Sequence, residues 1–563
     1  MKRIIFPAIL SFCIFGCSEP VGPTEAEAKA AAAALRAPPK EIVRPPFPNM
    51  ANAFWGKQVL KELKPIEKPT AGHLPLWLKA WHEHLEGKIE ILKQEAWAYY
   101  NETDKPEQKN TALSLLAVSY CLDWSSENYK DQLVDAVGLV HLAGESDKET
   151  LLGQVARAFV FAKAGLVHRG ETIIKILNTE KSSTEDIHLM KAMTLDVLGT
   201  YNDDYVRFLD ETISKKPASL RAKWMKAKLL NRWGAYKEAA KILKQSKDPN
   251  IFIRLTLAAS LMGQDKWLAA KDLLALSEDA RSSLTQVTLG KLRYLEAKTA
   301  LQLREYGSYK AHFSQLGLSP LFAAERNSLK ALDKKSRGLS SLTVEDLPKP
   351  NRLPSHLRLE MVTLWLEWSA ATGTKKYFKD ASKKALALGV DPAFVYRTEA
   401  QLKKKMASQS NDPKERSALL KESRYLQSEA QKCWPRGLIS QKGHWLLAAR
   451  RALIDGANGW AARKLERMGR VWKREPVIQA LMARAQLGQK QAWQQALKVL
   501  PLAQRLSSYD IKGLLKLAPQ NLSKEDRQAL QKLAVTAKHP YIVNFIGAQL
   551  SPQHAGHDHG KGH

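Results

Sequence analysis

Residues 223–243 read KWMKAKLLNRWGAYKEAAKIL. Apolar side chains recur at three- and four-residue spacing up to Trp233, stop at Gly234, and resume from Tyr236 onward. That is the pattern of two amphipathic helices joined by a very short turn. Ala227, Gly234 and Tyr236 stand at offsets of seven and two. The same offsets recur in Ala192, Gly199 and Tyr201, and again in Ala158, Gly165 and Val167. The three alanines are 34 and 35 residues apart. Ala258 and Ala297 extend the series less regularly, with Trp267 and Tyr306 nine residues after them. A recurring unit of this size marks stacked helical hairpins.

Helical pairs at this period resemble tetratricopeptide repeats. The resemblance implies an α-solenoid in which Ala227 is small where the two helices of a repeat meet. Gly234 would form the turn, Tyr236 would wedge beneath it, and Ala239 and Leu243 would face the partner helix. Ala158, Gly165, Ala192, Gly199 and Tyr201 take the corresponding packing roles. The resemblance is clearest over residues 110–330 and continues in weaker form, with Ala449 and Gly456 again seven apart. No sustained two-residue alternation calls for a sheet, so the expected fold class is all-α.

A chain of 563 residues exceeds what one compact core usually holds. The expected organisation is a helical repeat segment over residues 51–333, a Pro/Ser-rich linker or long loop at 334–356, and a basic, degenerate helical segment over 357–550. A His-rich tail follows at 551–563. Most of the 15 tryptophans are expected to wedge between helices. Cys121 and Cys433 are 312 positions apart, and buried free thiols are expected rather than a disulfide.

The N-terminus gives an address. Met1-Lys2-Arg3 precedes an apolar run from Ile4 to Phe15, too short to span a bilayer as a helix. Ile14-Phe15-Gly16-Cys17 resembles the lipobox of bacterial lipoproteins. The resemblance implies a signal peptide over residues 1–16, cleavage before Cys17, and fatty acylation of that residue. Ser18 rather than Asp follows the cysteine, which points to the outer membrane, facing the periplasm. Residues 17–50 carry the anchor and a Pro/Ala-rich tether.

Net charge is +30, and it is unevenly spread. Residues 351–550 hold 36 lysines and arginines against 15 acids, net +21, whereas residues 18–350 are net +7. Candidate anion-binding residues are Lys403, Lys404, Lys405, Arg450, Arg451, Arg463, Lys464, Arg467, Arg470, Lys473 and Arg474. In a lipid-anchored periplasmic chain such a field suits anionic glycan, lipid or acidic protein, and nucleic acid is not expected.

Two stretches invite chemistry. The tail, HAGHDHGKGH, offers His554, His557, Asp558, His559 and His563 as ligands for a divalent zinc, copper or nickel ion. Residues 422–441 superficially resemble the first motif of lytic transglycosylases, which would make Glu422 a general acid. That role needs burial to raise its pKa. Gln441 stands one residue late for the motif, and Trp434 and Pro435 replace small residues. The expectation is therefore a non-enzymatic scaffold or assembly protein that binds protein or envelope partners. Metal handling by the tail and a peptidoglycan-cleaving enzyme are the alternatives.

Overall fold

A computed structural model of the protein describes residues 44–63, 72–83, 89–122, 129–145, 149–177, 184–244, 250–317, 320–435, 444–472, 474–537 and 539–550. Among them are 28 α-helices and no strand. The protein is all-α, with helices packed on their neighbours in a solenoid-like succession. Residues 47–563 form one unit, and of the preceding residues only 44–46 are described. The short 3₁₀ turn Pro48–Met50 already belongs to that unit, so any tether ends a few residues earlier than position 50.

The repeat rests on three local devices. The first is an N-cap. Thr150, Thr184, Ser219, Asn250 and Thr285 each accept a hydrogen bond from a first-turn N–H of Leu151–Lys163, Glu185–Leu198, Leu220–Trp233, Ile251–Met262 and Gln286–Gln302 respectively. The second is the small residue: Ala158, Ala192, Ala227, Ala258, Ala297 and Ala449 are all fully buried. The third is a left-handed residue seven positions later, at Gly165, Gly199, Gly234, Asp265, Arg304 and Gly456. There the chain makes a 6→1 bond that closes the helix, as when Ala235 N–H donates to Leu230 O at 2.8 Å. The same bond joins Leu166 to Phe161, Lys266 to Leu261, Glu305 to Ala300 and Ala457 to Ala452. Thus the two irregular copies keep the turn conformation without its glycine.

Tyr201 and Tyr236 differ from the expected wedge in detail. Tyr201 packs edge-on against Tyr205 and lies under the Arg232 guanidinium. Tyr236 reaches forward to the next turn, where a Cβ on Gly263 would meet its ring at 2.5 Å.

The cores show how the chain runs. One spans Ala51 to Leu292 and then takes in Leu446, Ala449, Trp460, Leu465 and Leu481. Others cover Tyr294–Trp368, Val362–Leu402 and Ala480–Ile546. The chain therefore leaves its first core, builds two more, and returns to the first through His444–Ile454 and Asn458–Trp472.

Residues 334–356 are a packed corner rather than a bare linker. Leu342, Leu347 and Leu353 are buried there. Trp365 and Trp368 donate their indole N–H groups to Pro348 O and Leu342 O at 2.9 and 3.0 Å. Proline and serine mark the turns of this segment, and the three leucines hold it down.

No described tryptophan is exposed. Cys121 and Cys433 are buried free thiols, and burial pushes each up to about 12.

Candidate anion-binding surface

Asn458–Trp472 has two unlike faces. Trp460, Ala461, Lys464, Leu465 and Met468 point inward. Trp460 packs against Trp233 with ring centroids 4.6 Å apart. The helix N-terminus is capped from another helix: both Asp203 carboxylate oxygens accept the Gly459 N–H at 2.9 Å. One turn earlier, Asp455 accepts from Arg232 Nε at 2.8 Å and from Trp233 Nε1 at 2.8 Å.

The outer face carries Arg463, Arg467 and Arg470, and Arg474 follows just beyond the helix. All four are exposed, and none has an ion-pair partner among the described residues. Their spacing places them on one side, with the first three spread over ~10 Å of helix. Lys226 adjoins this stripe. Burial, reinforced by Arg463 and Lys464 against the pull of Glu238, pushes its ammonium down to about 8. Free guanidinium groups in such a row can bind carboxylate or phosphate in a two-pronged manner.

The remaining candidates divide. Lys404 and Lys405 are exposed, whereas Lys403 is ion-paired with Glu422. Arg451 is half-buried and donates to Gly389 O at 2.9 Å. Lys464 is buried, not displayed: it pairs with Glu238 and lies 4.3 Å from the Trp445 ring centroid. Arg450 is also withdrawn from solvent. Its Nη2 donates to Cys433 O at 2.8 Å and sits 3.4 Å from Asp510, with Asp391 3.6 Å from Nη1. Burial disfavours its charge, but Asp510 and Asp391 outweigh this and hold the guanidinium protonated. These two residues are corrections to the expected basic surface: Arg450 neutralises the buried Asp510, and Lys464 is itself buried against the partly exposed Glu238. Lys473, Cys17, His554, His557, Asp558, His559 and His563 lie outside the described residues.

Glu422 does not have the burial a general acid needs. Its side chain is 54% exposed and paired with Lys403.

One constellation has no signal in the sequence. His82 Nδ1 lies 2.7 Å from Ser219 Oγ, and its Nε2 lies 2.8 Å from Asp186 Oδ1. The order of groups is that of an activated serine. Ser219, however, is fully buried, and its hydroxyl is the N-cap that accepts the Ala222 N–H. The chain of contacts pins His73–Glu83 to the array, aided by Arg221, which donates to Trp81 O at 2.7 Å. Burial pushes the Asp186 carboxyl up, but His82 and Lys216 more than reverse this and hold it below its ordinary value.

No protein-family model matches this chain, and no curated protein sequence matches it.

Proposed function

We propose that the protein is a lipid-anchored periplasmic scaffold of tetratricopeptide-like hairpins that docks an acidic envelope protein on its arginine stripe. The observation that carries this reading is the contrast on Asn458–Trp472. Its inner basic residue, Lys464, is matched by Glu238, whereas Arg463, Arg467, Arg470 and Arg474 are left unmatched. A folded protein that pairs its inner charges and leaves four outer arginines free, with Glu466 the one exposed acid among them, presents a predominantly positive surface. The helical-hairpin array supports the scaffold role by giving that surface a rigid base. The lipobox-like residues around Cys17 supply the address.

The test is crosslinking in intact cells followed by mass spectrometry of captured envelope proteins. A defined set should be captured by the native chain and lost when the four arginines become glutamine. Cys17→Ala should release the body from membranes, and unchanged fractionation contradicts the anchor.

A further inference from the structure

Lys237, Lys241, Lys244 and Lys266 line an open groove of about 370 Å³, together with Ala240, Leu261 and Gln264. The first three lie on Tyr236–Lys244 at spacings of four and three, so they share one side of that helix. Lys266 stands across from them as the N-cap of Trp267–Leu274. All four are exposed, and none has an ion-pair partner among the described residues. Among the described residues, no acidic side chain lines the groove. The nearby Glu238 is occupied by Lys464.

Two features suit this arrangement to an anion. Four lysines line a single depression, so their positive potentials add there. Lys266 also places a positive charge at the positive end of a helix dipole, where an acidic or hydroxyl side chain is favoured. That helix has no side-chain cap and no acid in its first turn. A bound anion would answer both at once.

We propose that this groove is a binding site for a compact phosphoryl anion bearing several negative charges. Lysines are strongly hydrated point charges without the planar fork that selects carboxylates in pairs, which suits closely grouped phosphate oxygens. Gln264, whose amide donates to Tyr236 O and Ser260 O, and the apolar floor of Ala240 and Leu261 fix the shape of the groove. The site lies on the first segment, away in sequence from the arginine stripe, and stands or falls independently of it.

Calorimetric titration of the full chain with inorganic tripolyphosphate tests the site. Saturable binding is expected that weakens about tenfold or more in K237Q/K241Q/K244Q/K266Q, in keeping with loss of four facing charges. Arginine at the same four positions should retain binding and shows that charge, not folding, is read. Equal charge removal at Lys375, Lys376, Lys379 and Lys383, exposed on another helix, should leave affinity unchanged. A loss as large in that control, or no saturable binding to the native chain, overturns the proposal. A second arm uses vesicles of phosphatidic acid in phosphatidylcholine. Vesicle binding displaced by tripolyphosphate assigns the phosphoryl group to a lipid headgroup, and tripolyphosphate binding without vesicle binding assigns it to a free compound. Tighter binding of hexaglutamate than of tripolyphosphate overturns the phosphoryl assignment in favour of an acidic peptide.

Discussion

Asp203 and Gly459 are 256 positions apart, yet both Asp203 carboxylate oxygens accept the Gly459 N–H at 2.9 Å. One helix thereby caps another across the array, and the arginine-bearing helix is held where the chain returns to its first core. Asp203→Ala should cost about 1–2 kcal/mol, the usual loss for a helix cap. Asp455→Ala should cost more, because it strands the Arg232 guanidinium and the N–H of the fully buried Trp233. Denaturant unfolding gives the totals. Hydrogen exchange should localise the loss of Asp203 to residues 458–472.

The left-handed turn positions make opposite predictions for glycine and its substitutes. Arg304 has φ 60° and Asp265 has φ 59°. Arg304→Gly should stabilise by about 1 kcal/mol, and Asp265→Gly by less, since Asp tolerates this conformation better. Gly234→Ala should destabilise by at least ~1 kcal/mol. It adds a close approach too, because its Cβ would lie 2.9 Å from Arg451 Nη1. Shifts in the denaturation midpoint decide the signs.

Gly56 and Gly138 let Ala53–Glu62 cross Tyr129–Ala143 closely. A Cβ on Gly56 would lie 2.3 Å from Gly138 O, and one on Gly138 would lie 2.7 Å from the Trp55 ring. Alanine at either position should cost about 1–3 kcal/mol through overpacking. Gly469, also helical, has open space at its Cβ, so Gly469→Ala should stabilise by about 0.5–1 kcal/mol. Thermal unfolding of the three variants separates packing from helix propensity.

Stability should fall on acidification in two stages. Burial, against the opposing pull of Glu211, holds His188 below its ordinary value, and burial with Arg169 and Arg157 does the same for His141. For such groups the unfolded chain binds the proton first, so stability starts to fall as pH drops below ~6.5. Asp186, Glu296 and Glu325 are also held low: burial raises each, but His82, His312 and Arg281, and His356 reverse it. Their contribution is present above the ordinary carboxylate value of ~4 and is lost as pH falls below it. Urea midpoints from pH 8 to pH 3 should show both declines. His188→Gln should flatten the upper one.

Local features were legible in the sequence, and long-range ones were not. Gly165, Gly199 and Gly234 could be read as turns because a left-handed residue favours glycine. Asp265 and Arg304 broke that signal while keeping the conformation, which is why those copies looked irregular. The basic run at 463–474 was legible as a cluster, but not which of its residues share the outer face. Composition gave the sign of the charge but not its placement: Arg450 and Lys464 resemble their exposed neighbours until Asp510 and Glu238 are brought to them. No local pattern could join His82 to Ser219 across 137 positions, or Asp203 to Gly459. Serines and prolines at 334–356 suggested a linker because turn residues dominate that stretch, and the sparse leucines that bury it carry no helical period.

The most direct measurement is site-specific photocrosslinking from position 467 in living cells, with and without glutamine at Arg463, Arg470 and Arg474. A discrete set of adducts with acidic envelope proteins, lost in the triple variant whose helix content is unchanged, is the expected result. Adducts that persist unchanged in the triple variant, or none in the native background, would contradict docking on the arginine stripe.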